Sequence, residues 1–234
     1  YYVINSDFRI YECIYNGAAP SNSGKGTISL QEPVHTDLQP RLESDGYIWK
    51  YLFTIKPSDI IKFDSADFIP VPANWKTGVD TADVRNAAVD GKIEVITIDD
   101  TANASYQFTG TKNNVPIRGD GTGGLASVTF TNGKPTAVQV TDGGSGYSFA
   151  TLDLDSVVTG TGASFSVIIP PPGGHGADVY RELGSNKVLV YSRIENADVT
   201  NPDFPTGNQF ARIGIVKNPE VFSSPGTLLD KPSA

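Results

Sequence analysis

The segment Asp45-Gly46-Tyr47-Ile48-Trp49-Lys50-Tyr51-Leu52-Phe53-Thr54-Ile55 carries an aromatic residue at every second position from 47 to 53. Side chains alternate between the two faces of an extended strand, so Tyr47, Trp49, Tyr51, Phe53 and Ile55 share one face. Burial of four aromatic side chains removes about 600–1000 Å² of surface from water, a gross gain of roughly 15–25 kcal/mol before entropy is subtracted. We therefore predict that this aromatic face packs in the protein core or against another subunit.

The composition around this segment is typical of a β-rich globular protein. Aromatic residues make up 10% of the 234 residues, and 24 glycines and 16 prolines favour many turns and short strands over long helices. The formal net charge of −8 and the lack of a basic cluster argue against binding to nucleic acid or to an anionic membrane surface. No run approaches 18 apolar residues, so no membrane-spanning segment is predicted.

Cysteine and methionine usage adds two expectations. Cys13 is the single cysteine, which excludes an intramolecular disulfide and a cysteine-based zinc site and indicates a buried, unreactive thiol on a strand. The chain contains no methionine and begins within a predicted strand, so we expect it to be part of a longer protein.

The first half of the chain is predicted to be strands joined by polar loops. Two strands within residues 1–15 are separated by the turn-forming cluster Asn5-Ser6-Asp7, and a long polar loop covers residues 16–46. Pro57 is suited to open a helical turn. A short helix is predicted from Thr81 to Val89, with Asp80 or Thr81 as its N-cap.

From Ile93 onwards the sequence becomes rich in glycine and β-branched residues. Residues 93–98 are predicted to form a strand, and Asn132-Gly133 is predicted to be a type I′ turn between strands 125–131 and 134–141. The segment 121–128 resembles the segment 160–167, which indicates two related units in which a glycine turn leads into a strand. Later residues are predicted to form a helical turn ending at Gly184, strands at 187–194 and 211–217, and a polar loop between them.

Motifs for phosphate and dinucleotide binding are incomplete. The segment Ser23-Gly24-Lys25-Gly26 lacks both the preceding glycine and the following Ser or Thr of a phosphate-binding loop. The segment 119–124 matches a glycine fingerprint for dinucleotides, but it leads into a predicted strand, so no helix N-terminus is available for a pyrophosphate. Neither motif supports a cofactor.

The histidines and two carboxylate pairs are the candidates for catalytic or metal-binding groups. His35 and His175 are the two histidines, and a structural role is favoured for both because neither has a second ligand nearby in sequence. Adjacent carboxylates at 99 and 100 point in opposite directions on a strand and make a poor acid–base couple. Asp153 and Asp155 can share a face and hold calcium, although a solvated turn is favoured. We predict no catalytic residue, metal or cofactor.

Four blocks of sequence resemble the gene product eight family, the baseplate wedge subunits of T-even-type contractile-tailed phages. The aromatic block is the most specific, and the ordered set is more specific than any single block. The blocks are Ser44–Ile55 with Phe68–Pro72, Tyr2–Asp7 with Ile10–Cys13, Gly173–Asp178 with Glu182–Gly184, and Phe210–Pro219. The third block is similar to an element of the longer members found in phages of marine cyanobacteria.

The resemblance implies a mainly β, non-enzymatic protein with β-sandwich-like domains, short helices and a Gly-rich β insertion. It implies a discontinuous core of residues 1–76 plus 173–222, a short helical connector at 77–92, the insertion at 93–172 and a C-terminal tail at 223–234. The expected partners are a second copy, giving a homodimer, and neighbouring baseplate wedge proteins. The expected location is the tail baseplate of the virion, after assembly in the host cytoplasm.

Two other functions remain open from sequence. A carbohydrate- or receptor-binding β module of a phage tail would present Tyr147, Phe149 and acidic residues of the insertion to a glycan. A glycan hydrolase would use the Asp153 and Asp155 pair. The roles of Trp49 and Tyr51, as core or as dimer contacts, are also left open.

Overall fold

The computed structural model describes residues 1–17, 26–194 and 210–217. Strands account for 43% of the protein and helices for 9%, and one of the several sheets is curled into a half-barrel. The prediction of a mainly β fold with short helices is therefore confirmed. The chain divides into two compact units, one of residues 1–53 with 79–178 and one of residues 54–78 with the described residues from Val179 onwards. The predicted domain boundaries stay a prediction.

The aromatic segment lies inside a four-stranded sheet. Its strands are β1 (Tyr2–Ile4), β2 (Arg9–Asn16), β3 (Arg41–Leu42) and β4 (Tyr47–Thr54), in the spatial order β1-β2-β4-β3. The turn between β1 and β2 forms where Asn5-Ser6-Asp7 predicts it, because the Asn5 side-chain oxygen accepts hydrogen bonds from the N–H groups of Asp7 and Arg9. The predicted strand 47–55 is thus β4, an interior strand of the sheet.

The three helices among the described residues are short and lie at the predicted places. They are α1 (Pro57–Phe63), with proline in its first turn, α2 (Ala82–Ala87), and α3 (Val179–Glu182). Helix α2 is shorter than the predicted helix from Thr81 to Val89, and the Thr81 side chain forms no capping hydrogen bond. Gly184 follows α3 in the left-handed conformation, with φ of 62°, as a helix stop requires.

Residues 93–169 form a compact set of short strands. They are β5 (Val95–Asp100), β6 (Ser105–Tyr106), β7 (Gly110–Gly119), β8 (Thr122–Thr131), β9 (Lys134–Ser145), β10 (Ala150–Leu152), β11 (Gly160–Thr161) and β12 (Ser164–Ile168). The order β10-β7-β8-β9 makes a four-stranded sheet, while β12 pairs with β5 and β11 with β6. The predicted β8–β9 hairpin is confirmed, because Asn132 and Gly133 have φ angles of 51° and 74°, as a type I′ turn requires.

Two hydrophobic clusters fill this Gly-rich module, and both are built from residues 93–169. The buried members of the first are Ala104, Tyr106, Val115, Val128, Phe130, Leu154 and Val158. The buried members of the second are Ile93, Ile96, Ile117, Ala126 and Tyr147. Val138, Leu152 and Phe165 pack against both clusters and join them into one core.

The second unit contains a two-stranded antiparallel sheet of β13 (Lys187–Ile194) and β14 (Phe210–Lys217). The two strands agree with the predicted strands at 187–194 and 211–217. The Tyr191 ring lies edge-on to Phe63 of α1, with ring centroids 6.4 Å apart. The predicted polar loop 195–209 and the predicted tail 223–234 lie outside the described residues.

Candidate interaction surface

The four aromatic residues of β4 do not share one environment. Trp49 and Phe53 are buried, with Trp49 only 3% exposed, whereas Tyr47 and Tyr51 are half-buried. The Tyr47 ring stacks on Trp49, with centroids 5.5 Å apart and an angle of 13° between the ring planes. Because Trp49 and Phe53 are buried within a single chain, they contribute to its core, and Tyr47 and Tyr51 keep accessible surface.

The opposite face of β4 is also buried, which the sequence analysis missed. The Lys50 ammonium lies 2.8 Å from the Glu94 carboxylate, and the two side chains are 2% and 6% exposed. Lys50 also donates a hydrogen bond to the Leu38 carbonyl. The second Glu94 oxygen is buried without a hydrogen-bond partner among the described residues. Alternation along β4 gives no signal for this pair, because Glu94 lies 44 residues further along the chain.

An extended segment without regular structure, residues 27–38, is fastened to the sheet, and we call it the strap. It is held through its backbone carbonyls, which accept hydrogen bonds from side chains of the sheet and the β1–β2 turn. The five bonds run from Tyr47 to Thr27, from Asn5 to Pro33, from Arg9 to Val34, from Tyr11 to His35 and from Lys50 to Leu38.

The Asp45 carboxylate fixes the first part of the strap. One of its oxygens accepts hydrogen bonds from the N–H groups of Leu30 and Gln31 and from the Ser29 hydroxyl. Burial by itself raises the pKa of Asp45, but the hydrogen bonds from Leu30, Tyr47 and Gln31 outweigh it and hold this pKa below its usual range. The first part of the strap is therefore held by the Asp45 carboxylate, which accepts hydrogen bonds from strap N–H groups. Further along, the strap is held through its own carbonyls, which accept hydrogen bonds from side chains.

The strap and β1 expose apolar side chains to solvent. Ile28 and Leu30 are 83% and 85% exposed, and Tyr2 and Ile4 of β1 are 47% and 39% exposed. We call the exposed apolar side chains of the strap the apolar surface: Ile28, Leu30 and Val34. Single exposed apolar residues are ordinary, but several on one fastened segment are typical of a surface that contacts another molecule.

An open cleft of about 700 Å³ lies where the strap meets β1. Val3 and Ile4 line one side, Leu30 lines the strap side, and the stacked Tyr47 and Trp49 also line it. The Trp49 indole nitrogen is buried and has no hydrogen-bond partner among the described residues. The cleft thus has apolar and aromatic walls, and the unpaired Trp49 donor is buried behind them.

The His35 side chain of the strap packs against the sheet, with its ring edge-on to Tyr11 at a centroid distance of 5.4 Å. It is buried, and neither ring nitrogen has a hydrogen-bond partner among the described residues. Burial lowers the pKa of His35, while the nearby carboxylates of Asp37 and Glu43 act in the opposite direction. Burial also raises the pKa of Tyr11 to about 12, so its hydroxyl remains a donor.

Three of the four carboxylates named as catalytic or calcium-binding candidates have hydrogen-bond partners, and the fourth, Asp155, is exposed. Asp153 accepts a hydrogen bond from the Arg118 guanidinium at 3.0 Å, and this contact holds the pKa of Asp153 below its usual range. Asp99 accepts hydrogen bonds from the hydroxyls of Thr97 and Ser166. Asp100 accepts one from a backbone N–H. These bonds hold local structure in the Gly-rich module.

Tyr147 is the one glycan-contact candidate whose predicted exposure is wrong. It is buried in the second cluster, where its hydroxyl accepts a hydrogen bond from the Gly124 N–H and donates one to the Ile117 carbonyl. A Cβ at Gly121 would lie 2.5 Å from the Tyr147 ring and one at Gly124 2.9 Å from its hydroxyl, so the lack of a side chain at both positions lets the backbone close over the ring. Phe149 is exposed, as that function would require.

His175 and Cys13 are two further candidates from the sequence. The His175 ring nitrogen Nδ1 is 3.0 Å from the Glu12 carboxylate. Cys13 is half-buried rather than buried, and burial raises the pKa of its thiol, which disfavours the reactive thiolate. Residues 23–25 of the rejected phosphate-loop motif lie outside the described residues.

Comparison with known proteins identifies no relative. No family model, no curated protein and no solved structure matches this chain. Within the described residues, no helix has the length and apolar character needed to cross a membrane. Arguments about function therefore rest on the apolar surface, the cleft and the sequence resemblance.

Proposed function

We propose that this protein is a structural component of a contractile phage tail baseplate wedge. In this role it is a homodimeric assembly protein that links neighbouring wedge proteins and performs no chemistry. The ordered resemblance of four sequence blocks supports the assignment, and the aromatic block is the most specific of them. Its proposed location is the baseplate of the virion.

The observation that carries the proposal is the apolar surface on a fastened strap. The strap carbonyls are bound by five side chains, so the exposed apolar side chains of Ile28, Leu30 and Val34 are held in a defined geometry. A preordered apolar surface loses little conformational entropy when a partner binds. This arrangement suits a protein whose task is to hold neighbours in place.

The proposal is tested by gold-labelled antibody staining of phage particles, with serum raised against residues 1–234. Label at the distal end of the tail is expected for a baseplate component. Particles with disassembled baseplates serve as the control, because buried epitopes become accessible there. No label on those particles would reject the baseplate assignment.

A second candidate is a carbohydrate- or receptor-binding β module of a phage tail, which the exposure of Phe149 favours. The burial of Tyr147 removes one of the two aromatic contacts that this function would use. Glycan array binding that is lost in Phe149→Ala and kept in Tyr2→Ala would support this function over the wedge assignment.

A further inference from the structure

We call the four-stranded sheet β1-β2-β4-β3 the aromatic sheet; at one of its edges, β1 has backbone hydrogen-bonding groups without partners among the described residues. In the antiparallel pairing of β1 with β2, Val3 lies opposite Tyr11, Cys13 donates to the Tyr1 carbonyl, and Asn5 donates to the Arg9 carbonyl. Hydrogen-bonded pairs alternate along such a ladder, so residues 1, 3 and 5 bond to β2. The N–H and C=O groups of Tyr2 and Ile4 therefore point away from β2.

These outward groups are unpaired in the part of the chain that the structure describes. Strand β1 is the last strand on its side of the sheet, and no backbone or side-chain hydrogen bond reaches Tyr2 or Ile4 from outside the β1–β2 ladder. An edge strand with two free donors and two free acceptors is a template for a further strand.

The two edges of this sheet differ in their protection. Strand β3, at the other edge, is two residues long and carries Arg41, whose guanidinium lies 3.7 Å from the Asp37 carboxylate. Charged residues on short edge strands prevent unwanted pairing. Strand β1 has the sequence Tyr-Val-Ile, with no charge and no proline, and its side chains at Tyr2 and Ile4 are exposed.

We propose that β1 is a dimerisation strand that pairs antiparallel with β1 of a second copy, about a two-fold axis at Val3. This inference rests on the proposed homodimeric assembly function and assigns the site of self-association. The outward N–H and C=O groups of Tyr2 bond to those of Ile4 in the other copy, and the reverse pair is identical by symmetry. Four hydrogen bonds join the two sheets into one.

The sequence of β1 favours a second copy as the occupant. In this register Tyr2 lies opposite Ile4 of the other copy twice, and aromatic against β-branched residues is a favourable cross-strand pair. The net charge of −8 does not oppose the contact locally, because Tyr2, Val3 and Ile4 carry no charged side chain. A contact through three residues on each side is small, so we expect a dissociation constant in the micromolar range.

Sedimentation equilibrium of the 234-residue chain, across roughly 1–200 µM, tests the proposal. Ile4→Pro removes an outward N–H but no bond to β2, because Ile4 donates away from that strand. We expect it to weaken dimerisation at least tenfold, whereas the matched control Ile4→Val, which keeps the N–H, dimerises like the original chain. Circular dichroism melting curves verify that both variants fold.

Two results would overturn the inference. One is a chain that is monomeric at every concentration, and the other is an Ile4→Pro variant that dimerises as well as Ile4→Val. Antibody labelling of the baseplate is independent of both results. Failure of β1 pairing is thereby distinguished from failure of the wedge assignment.

A cysteine cross-link tests the register separately. In the proposed dimer, Val3 lies opposite Val3 of the second copy in a non-hydrogen-bonded pair. The Cα atoms of such a pair are about 4.5 Å apart, a distance that a disulfide spans. Val3→Cys in a Cys13→Ser background is expected to form a covalent dimer on mild oxidation. The control is Tyr2→Cys in the same background. Position 2 lies opposite position 4 of the second copy, so the two introduced cysteines are not adjacent and should cross-link far more slowly. Equal rates for the two variants would contradict the proposed two-fold axis.

Discussion

The aromatic sheet with its strap and the Gly-rich module of residues 93–169 differ in how completely they bury their large apolar side chains. The module encloses a joined pair of hydrophobic clusters, and among its described residues only Phe149 is a strongly exposed large apolar side chain. The sheet and strap bury Trp49 and Phe53 but leave apolar side chains of β1 and the strap in solvent. The module buries nearly all its large apolar side chains within one chain, whereas the sheet and strap keep exposed apolar surface suited to a partner.

The largest expected effect comes from breaking the ion pair between these two regions. Glu94→Ala leaves the Lys50 ammonium buried without its carboxylate, and loss of one partner of a buried pair costs about 3–5 kcal/mol of unfolding free energy. Urea denaturation measures this loss.

The matched control for that experiment is the double variant Lys50→Met with Glu94→Leu. Replacement of both charges by apolar groups of similar size leaves no unpaired charge, so the double variant should be clearly more stable than Glu94→Ala. A double variant that is no more stable than Glu94→Ala would contradict the explanation that the unpaired Lys50 charge causes the loss.

Inside the module, Tyr147→Phe should reduce the unfolding free energy by about 1–3 kcal/mol. The change leaves the Gly124 N–H and the Ile117 carbonyl without their partner in a buried site. The control Phe149→Ala alters an exposed ring and is expected to stay within about 0.5 kcal/mol of the original chain. Equal effects of the two changes would mean that Tyr147 is not part of the closed core.

On the sheet side, His35 makes stability depend on pH. Its folded-state pKa is lowered by burial, so the unfolded chain takes up the proton first. The contribution is fully present above the unfolded pKa of about 6.5, and stability falls below it by up to about 1.4 kcal/mol per pH unit until the folded pKa is reached. Urea denaturation at several pH values between 8 and 5 measures this slope.

His35→Gln should remove that slope, because glutamine does not titrate. The variant His175→Gln serves as the control and should keep the contribution that belongs to His35. A slope of the same size in His35→Gln would assign the pH dependence to another group.

The smallest effect on stability is expected for Leu30→Ser, within about 0.5 kcal/mol, because the side chain already lies in water. The variant removes an exposed apolar side chain, so it should bind less of a hydrophobic dye, which is measured as lower dye fluorescence. Leu152→Ser, within the module core, provides the contrast and should raise dye binding by loosening the packing. The comparison between regions fails if both variants change dye binding in the same direction.

Local patterns in the sequence account for most elements of the fold. Alternation predicts β4, the Asn132-Gly133 turn predicts the β8–β9 hairpin, and Pro57 predicts the start of α1. Each of these depends on neighbours within a few residues, and the strands that they generate give a mainly β fold.

Contacts between distant parts of the chain were not predictable in the same way. The Lys50–Glu94 pair spans 44 residues, and the strap is fastened to its carbonyls by side chains up to 28 residues away. Tyr147 shows the same limit, because its hydroxyl partners lie 23 and 30 residues earlier. Sequence patterns report on neighbouring side chains, whereas the partners in these bonds are brought together only by the whole fold, and most of them are backbone groups.

The groups that fasten the strap to the sheet are mostly backbone groups, whereas the groups that it presents to a partner are its exposed side chains. Every residue has a carbonyl oxygen, so the hydrogen bonds from Asn5, Tyr11 and Lys50 to strap carbonyls do not depend on which side chains the strap carries. Outward positions such as Ile28 and Leu30 are therefore free to diverge or to be randomised in a library. A new specificity can be selected there while the scaffold beneath retains its hydrogen bonds.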